Sequence, residues 1–253
     1  MKILVVGEGC RDIFNYGVCN RLCPEAPVPV FNSITTTENG GMAINVQQNL
    51  LKLGVDVELL TNTNWKDITK TRFIDQRANH MFMRLDCNDN KYGKKNDKIK
   101  IRNINYDRYD AIIISDYDKG FLSEEDIIFI AANHKLVFLD TKKILGDWCR
   151  DVKYIKINNY EYERTKHKIG TKVKKKLIIT LGPEGAKYNN IIYPVPQVEI
   201  KDASGAGDTF VAALTVKYVA TKDVGESIIF ANECATQVVQ KRGVNTLEKE
   251  TAK

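Results

Sequence analysis

Nine residues near the end of the chain, Asp202-Ala203-Ser204-Gly205-Ala206-Gly207-Asp208-Thr209-Phe210, constrain the fold more than any other stretch. The glycines free the backbone for a tight, close-approach turn, and the apolar run Val211-Ala212-Ala213-Leu214 predicts a helix that begins about where they end. A helix start presents N–H groups with no carbonyl partner in their own helix, together with the positive end of the helix dipole. Such a place is an anion site, suited to a phosphate or to a phosphoryl group in transit. Asp208 there has two readings. It caps the helix, as aspartate often does, or it accepts a proton from an attacking hydroxyl while the amides hold the transferred group.

Bulk properties limit what that site belongs to. A chain of 253 residues, 43% of them hydrophobic, suits one α/β domain with a small appendage better than two independent domains. The net charge of +6 is spread along the sequence, with local excesses at Lys91 to Lys100 and Lys172 to Lys176. No aromatic-interleaved basic stripe points to RNA or DNA, and a mild positive charge suits small anions such as a nucleotide or a sugar phosphate. The cysteines, at 10, 19, 23, 87, 149 and 234, follow no disulfide framework. Cys19 and Cys23 have the spacing of half a zinc site that no second Cys or His pair completes, so reduced thiols in the cytoplasm are expected. The run Ile3 to Val6 is too short for a signal peptide, and no later run is long enough to span a bilayer.

Along the chain, Ile3 to Val6 reads as a buried parallel strand entering the loop Gly7-Glu8-Gly9. The spacing Gly7-x-Gly9-x-x-Asp12 lacks the third glycine of a dinucleotide fingerprint, and no Walker-type Gly-Lys-Ser/Thr is present. Residues 13 to 38 break the strand–helix rhythm, because prolines at 24, 27 and 29 exclude a helix and favour projecting strands. Residues 41 to 53 predict a helix closed by Gly54, with Asn45 one turn in. A strand is expected near Val55 to Thr61, a polar mobile loop at Asn88 to Lys98, and strands at Asp110 to Ser115, Leu136 to Leu139, Tyr154 to Ile157 and Leu177 to Leu181. Helices are expected from Ser123 to about Asn133 and from Ser227 to Val239. Asn158-x-x-Glu161 is by spacing a plain capping box. The alternation predicts a doubly wound, mostly parallel sheet. Ligands bind beyond the carboxyl ends of such strands, where Gly7 to Asp12, Asp116 to Gly120, Asn158 to Glu161 and Gly205 to Asp208 fall.

Asp-x-x-Gly-Ala-Gly-Asp-Thr-Phe at 202–210, with Gly40-Gly41-Met42-Ala43-Ile44-Asn45-Val46 at the other end of the chain, resembles the two signatures of the ribokinase-like (phosphofructokinase B type) carbohydrate kinases. The likeness runs from Ile3 to Thr246. Within that family, Arg21-Leu22-Cys23-Pro24-Glu25-Ala26-Pro27-Val28-Pro29-Val30, Lys70-Thr71-Arg72, Arg84-Leu85-Asp86 and Ser115-Asp116-Tyr117-Asp118-Lys119-Gly120 are similar to stretches of bacterial D-glycero-D-manno-heptose 7-phosphate kinases.

The resemblance implies a three-layer α/β sandwich in a single domain, 1–253, with a small β-sheet lid from segments about 13–38 and 68–87. It implies Asp208 as catalytic base and the backbone of Gly205, Ala206 and Gly207 as anion hole. Asp12, Gly40, Gly41 and Asn45 are then expected on sugar hydroxyls, and Lys119, Arg72 and Arg84 near the sugar's own phosphate. Asn158, Glu161, Thr180, Gly182, Gly185 and Asn232 are expected around the nucleotide, with Glu161 reaching magnesium through water. The implied small molecules are ATP, Mg2+ and a sugar phosphate, with a monovalent cation as a further candidate. The implied partner is a second copy through the lid, with no nucleic acid and no membrane.

Relative to those kinases the chain lacks roughly one strand–helix unit after Thr61, so the sheet is one strand narrower or its edge is covered by a partner. They are often fused to a nucleotidyltransferase domain, for which 253 residues leave no room, so a following step is expected to need another protein. The rival readings are a kinase of another sugar or nucleoside, and a catalytically silent nucleotide- or sugar-binding protein.

Overall fold

A computed structural model describes residues 1–92 and 100–248, so the loop expected at Asn88 to Lys98 lies partly outside the described residues. The strands are β1 (Lys2–Gly7), β2 (Arg11–Leu22), β3 (Pro29–Asn39), β4 (Asp56–Leu60), β5 (Thr69–Asp75), β6 (Met81–Cys87), β7 (Ala111–Asp116), β8 (Val137–Thr141), β9 (Tyr154–Asn158), β10 (Leu177–Thr180), β11 (Ala186–Tyr188) and β12 (Ile191–Tyr193). The helices are α1 (Met42–Lys52), α2 (Glu124–Asn133), α3 (Asn159–Thr165), α4 (Thr171–Lys174), α5 (Ala206–Thr221) and α6 (Val224–Val239).

The main sheet has the order β12-β11-β10-β9-β8-β7-β1-β4. From β4 to β10 the strands are parallel; β11 and β12 add an antiparallel edge. Successive strand residues point to opposite faces, and both faces are covered, which is why the central strands are almost wholly apolar. Ile3, Val5, Ala111, Ile113, Phe138 and Ile178 pack against α1, α5 and α6. Leu4, Val6, Ile112, Ile114, Leu139 and Ile157 pack on the other side, against Ile127 and Ile130 of α2 and Val173 of α4. The result is the expected three-layer sandwich.

A separate four-stranded sheet, in the order β3-β2-β5-β6, forms the lid. Its inner strands β2 and β5 pair in parallel and the outer pairs are antiparallel. The prolines at 24 and 27 fall in the turn between β2 and β3, and Pro29 opens β3, where a missing N–H costs little. The chain passes from β4 through a short helical turn at Trp65–Asp67 directly into β5, and β4 ends the main sheet. Within this chain β4 is therefore the edge strand of the main sheet. Among the described residues no helix is long and apolar enough to cross a membrane.

Helix α5 starts at Ala206, about where the glycines end, as expected. One local expectation needs correction. Asp12 lies within β2, paired with Asn39 and Lys70, and not in the loop after β1, because the lid strand begins at once.

Candidate active site

Gly205 precedes α5 with φ of 82°, a left-handed conformation that side chains other than hydrogen rarely adopt. A Cβ there would also stand 2.7 Å from the Asn45 amide nitrogen. Asp202 holds the turn from outside, accepting the Ser204 N–H at 2.8 Å and the Gly243 N–H at 3.2 Å. The N–H groups of Gly207 and Asp208 belong to the first turn of α5, where no carbonyl lies one turn back to receive them.

Asp208, only 4% exposed, is the third residue of this helix and makes no capping bond. Its Oδ2 accepts from the Asn45 side-chain amide at 2.9 Å and its Oδ1 from the Tyr117 hydroxyl at 2.9 Å. The capping reading is therefore set aside. Burial pushes its pKa up to about 6, against the hydrogen bond from Asn45 and the nearby Lys156 ammonium. Asn45 is 3% exposed and reaches Asp208 from α1 across the sheet's covered face. Asn49, one turn on, accepts from Thr209 at 3.2 Å, which locks α1 to α5.

Two cavities meet at Asp208, and Tyr117 and Gly205 line both. The smaller, about 250 Å³, is lined by Asp12, Gly41, Asn45, Arg72, Arg84 and Lys119, six of the seven residues expected on the sugar side. Gly40 is the exception: it stands behind the wall, where its carbonyl accepts the Cys10 N–H at 3.1 Å. Lys70, 5% exposed, joins this wall and was not singled out from the sequence. Its ammonium pairs with Asp86 and Asp89, Lys119 pairs with Asp89 at 2.6 Å, and Arg72 pairs with Asp12. Burial raises the Asp12 pKa, and Arg72 opposes the rise. Cys10 lines the same space, but burial pushes its thiol up to about 12 and makes it a poor nucleophile.

The larger cavity, about 520 Å³, holds Asn158, Thr180, Gly182, Gly185 and Asn232 together with the Gly205 to Asp208 turn. Its far wall is apolar, with Pro183, Val195, Pro196, Val198, Ala235 and Val239. Asn232 is committed to the wall, donating to the Tyr193 carbonyl at 2.8 Å. Asn158 and Glu161 form a reciprocal capping box at the start of α3, and of the two only Asn158 lines the cavity.

Two cations at this end escaped sequence reasoning. Lys156 on β9 is 4% exposed and pairs with Asp140 at 2.9 Å; a Cβ on Gly207 would stand 2.6 Å from its ammonium. Lys142 pairs with Glu161. For Lys156 the only sequence signal was a lysine inside a strand with covered faces, a position lysine seldom occupies unless paired.

Among the described residues no group of three or more His, Cys, Asp or Glu side chains is placed to hold a metal ion. Glu161 accepts the Asn158 N–H at 2.8 Å, the Asn158 side-chain amide at 2.9 Å and the Lys142 ammonium. That donor set fits magnesium carried by nucleotide oxygens and water, with Glu161 as an outer acceptor, and does not fit direct ligation.

A model of the pfkB family carbohydrate kinases matches residues 152–251. The bifunctional protein HldE of a Nitratiruptor species is 31% identical across 97% of this chain and 63% of its own length, in an alignment of 293 positions. HldE of Haemophilus influenzae (strain PittEE) is 29% identical over 99% of this chain and 63% of its own length. The chain thus spans about 63% of the curated relatives it matches. Among solved structures, ribokinase from Thermotoga maritima superposes with a TM-score of 0.71 at 16% identity, covering 99% of this chain and 97% of that one. A Methanocaldococcus jannaschii nucleoside kinase gives 0.70 at 17%, covering 99% and 96%. At such identities these two establish the ribokinase-like fold alone. The matched family segment contains the glycine turn and Asp208 themselves, and the HldE relatives extend the likeness across nearly the whole chain, so the chain carries a pfkB-type carbohydrate kinase domain.

Proposed function

We propose that the protein transfers the γ-phosphoryl group of ATP to the anomeric O1 of D-glycero-D-manno-heptose 7-phosphate, a step toward nucleotide-activated heptose. One observation carries this most directly: a buried carboxylate stands at the junction of an apolar cavity and a cation-lined one, in the first turn of a helix. The cation-lined side supports an acceptor that is already phosphorylated, and the lid stretches shared with the heptose kinases support the choice of sugar.

In this reading the purine lies against the apolar wall and its phosphates run toward Lys142, Lys156 and the start of α5. Asp12, Gly41 and Asn45 orient the sugar hydroxyls, while Lys70, Arg72, Arg84 and Lys119 receive the 7-phosphate. As the sugar oxygen bonds to the γ-phosphorus, the β–γ bridging bond breaks, ADP leaves, and Asp208 takes the hydroxyl proton. The amides of the Gly205 to Asp208 turn stabilise charge on the phosphoryl group. Glu161 and Asn158 would hold the water shell of a magnesium ion carried in by the nucleotide, which would supply positive charge against the phosphates.

The lid leaves Ile34, Met81, Phe82, Met83 and Leu85 exposed, an apolar face that supports pairing with a second copy. The functional test is a steady-state panel with ATP as donor and the heptose 7-phosphate, fructose 6-phosphate, ribose and adenosine as acceptors. The expected result is a heptose 1,7-bisphosphate with kcat/KM well above the other acceptors. Equal turnover of ribose or adenosine would overturn the choice of sugar, and no transfer to any acceptor would leave a binding protein.

A further inference from the structure

Tyr117 has no role in the account above, yet it is one of three residues, with Gly205 and Asp208, that line both cavities. It follows β7, lines both cavities, and its hydroxyl donates to Asp208 Oδ1 at 2.9 Å. Its ring lies 5.4 Å below the Lys142 ammonium. Burial and the Asp208 charge hold its phenol well above the ordinary tyrosine range, so it stays a donor.

The loop that carries it is clamped from β1. Glu8, 0% exposed and reaching neither cavity, accepts the Tyr117 N–H at 2.8 Å and the Lys119 N–H at 3.2 Å. Asp116 is tied to Thr141 and to Lys143, the latter at 3.0 Å. A buried glutamate with both oxygens given to two backbone amides of one loop is a device for holding that loop in one place.

We propose that Tyr117 is a positioning residue for Asp208: its hydroxyl favours the ionised carboxylate and, with Asn45, fixes the carboxylate plane so that a remaining lone pair meets the acceptor hydroxyl, while Glu8 sets the height of the Tyr117 loop. This rests on the reading of Asp208 as the base. A carboxylate offers about four acceptor positions, so with one bond on each oxygen Asp208 keeps room for the substrate proton. The two donors come from α1 and from the loop after β7, so neither element alone can rotate the group.

Other charges around Asp208 pull both ways. Asp140 disfavours its ionised form and Lys156 favours it, with Lys142 beyond. Asp12, Lys70, Arg72, Arg84 and Lys119 line the sugar side. All of them persist when only the phenolic oxygen is removed.

The test is the pH profile of kcat/KM for wild type, Tyr117→Phe, and a protein carrying 3-fluorotyrosine at 117 alone, whose more acidic phenol is the stronger donor. Activity needs Asp208 ionised, so the acid limb falls as pH drops through its pKa. Tyr117→Phe is expected to move that limb upward by about half to one unit, a deficit about 2- to 6-fold larger at pH 6 than at pH 9. The fluorinated protein, whose packing is almost unchanged, is expected to move it downward. Equal deficits at every pH, or a limb that stays put in the fluorinated protein, overturn the proposal. Asp208→Asn separates the two levels: if it still transfers phosphate the base reading falls as well, and if it is inactive while the limbs coincide only the role of Tyr117 falls.

Discussion

On the sugar side of Asp208, Lys70, Arg72, Arg84 and Lys119 are already paired with Asp12, Asp86 and Asp89 around a space of about 250 Å³. On the nucleotide side, a space of about 520 Å³ is walled by prolines and aliphatic side chains, with its charge confined to the end nearest Asp208. Under the proposed function, the contrast teaches how one site would sort two phosphorylated ligands. An apolar slot holds a flat base through the area it removes from water, which selects by shape and weakly. A prewired ionic wall rejects a neutral ligand, because partners must be exchanged, and a second phosphate supplies the replacement. Four cations against three carboxylates leave that wall with one positive charge in excess before any substrate arrives.

The sharpest break between the two sides comes at their junction. Asp208→Asn is expected to lower kcat about 10³-fold while ATP affinity by calorimetry stays unchanged. The same variant should melt higher above pH 6. The folded-state pKa of Asp208, about 6, lies above its ordinary 3.8, so wild type loses stability as pH rises through that window and the amide does not. A thermal-melt series from pH 4 to pH 9 checks the sign; a gain that persists at pH 4 would contradict it.

Next in size is Lys70→Met, expected to raise KM for the phosphorylated sugar roughly 10- to 100-fold with KM for ATP unmoved, since a charge-assisted contact is worth about 1.5–3 kcal/mol. An equal rise for an unphosphorylated sugar would show that Lys70 does not read the phosphate. On the other wall, Val198→Asp is expected to weaken ATP binding about tenfold and leave the sugar KM alone, by placing a carboxylate where a base is desolvated. The smallest effect on turnover belongs to the lid face. Met83→Glu, at an exposed position, is expected to shift sedimentation from dimer to monomer with kcat changed by about twofold or less. Identical sedimentation of both proteins would remove the lid as a pairing surface.

Some of this was legible along the chain and some was not, for reasons that particular residues make plain. Asn45 and Asp208 stood out because each sits in a local pattern, glycines followed by helical periodicity, that implies a turn with exposed amides. Asn158 and Glu161 were legible as a capping box, which they are; that Asn158 also lines the larger cavity needed the packing of α3 beside β9. Tyr117 was in a recognised stretch but carried no chemistry until its hydroxyl met Asp208. Lys156 was invisible, since a lysine in a short strand reads as a solvent-facing residue unless both sheet faces are known to be covered. Gly40 was expected beside the sugar hydroxyls with Gly41, and the structure places it behind the wall, one residue too early.

By itself the sequence determined the alternation of strands and helices, the interruption by projecting lid strands, and the position of the glycine turn that opens α5. Periodicity, proline and glycine act over a few residues, and their consequences need no distant partner. Only the tertiary structure decided which charges neutralise one another and which face a cavity. Arg72 and Asp12 stand 60 residues apart in the chain and Asn45 and Asp208 163 apart, and nothing local specifies such pairs. They exist because the sheet order and the lid's closure bring those elements together, and in the drained space so formed an unpaired charge is too costly to persist.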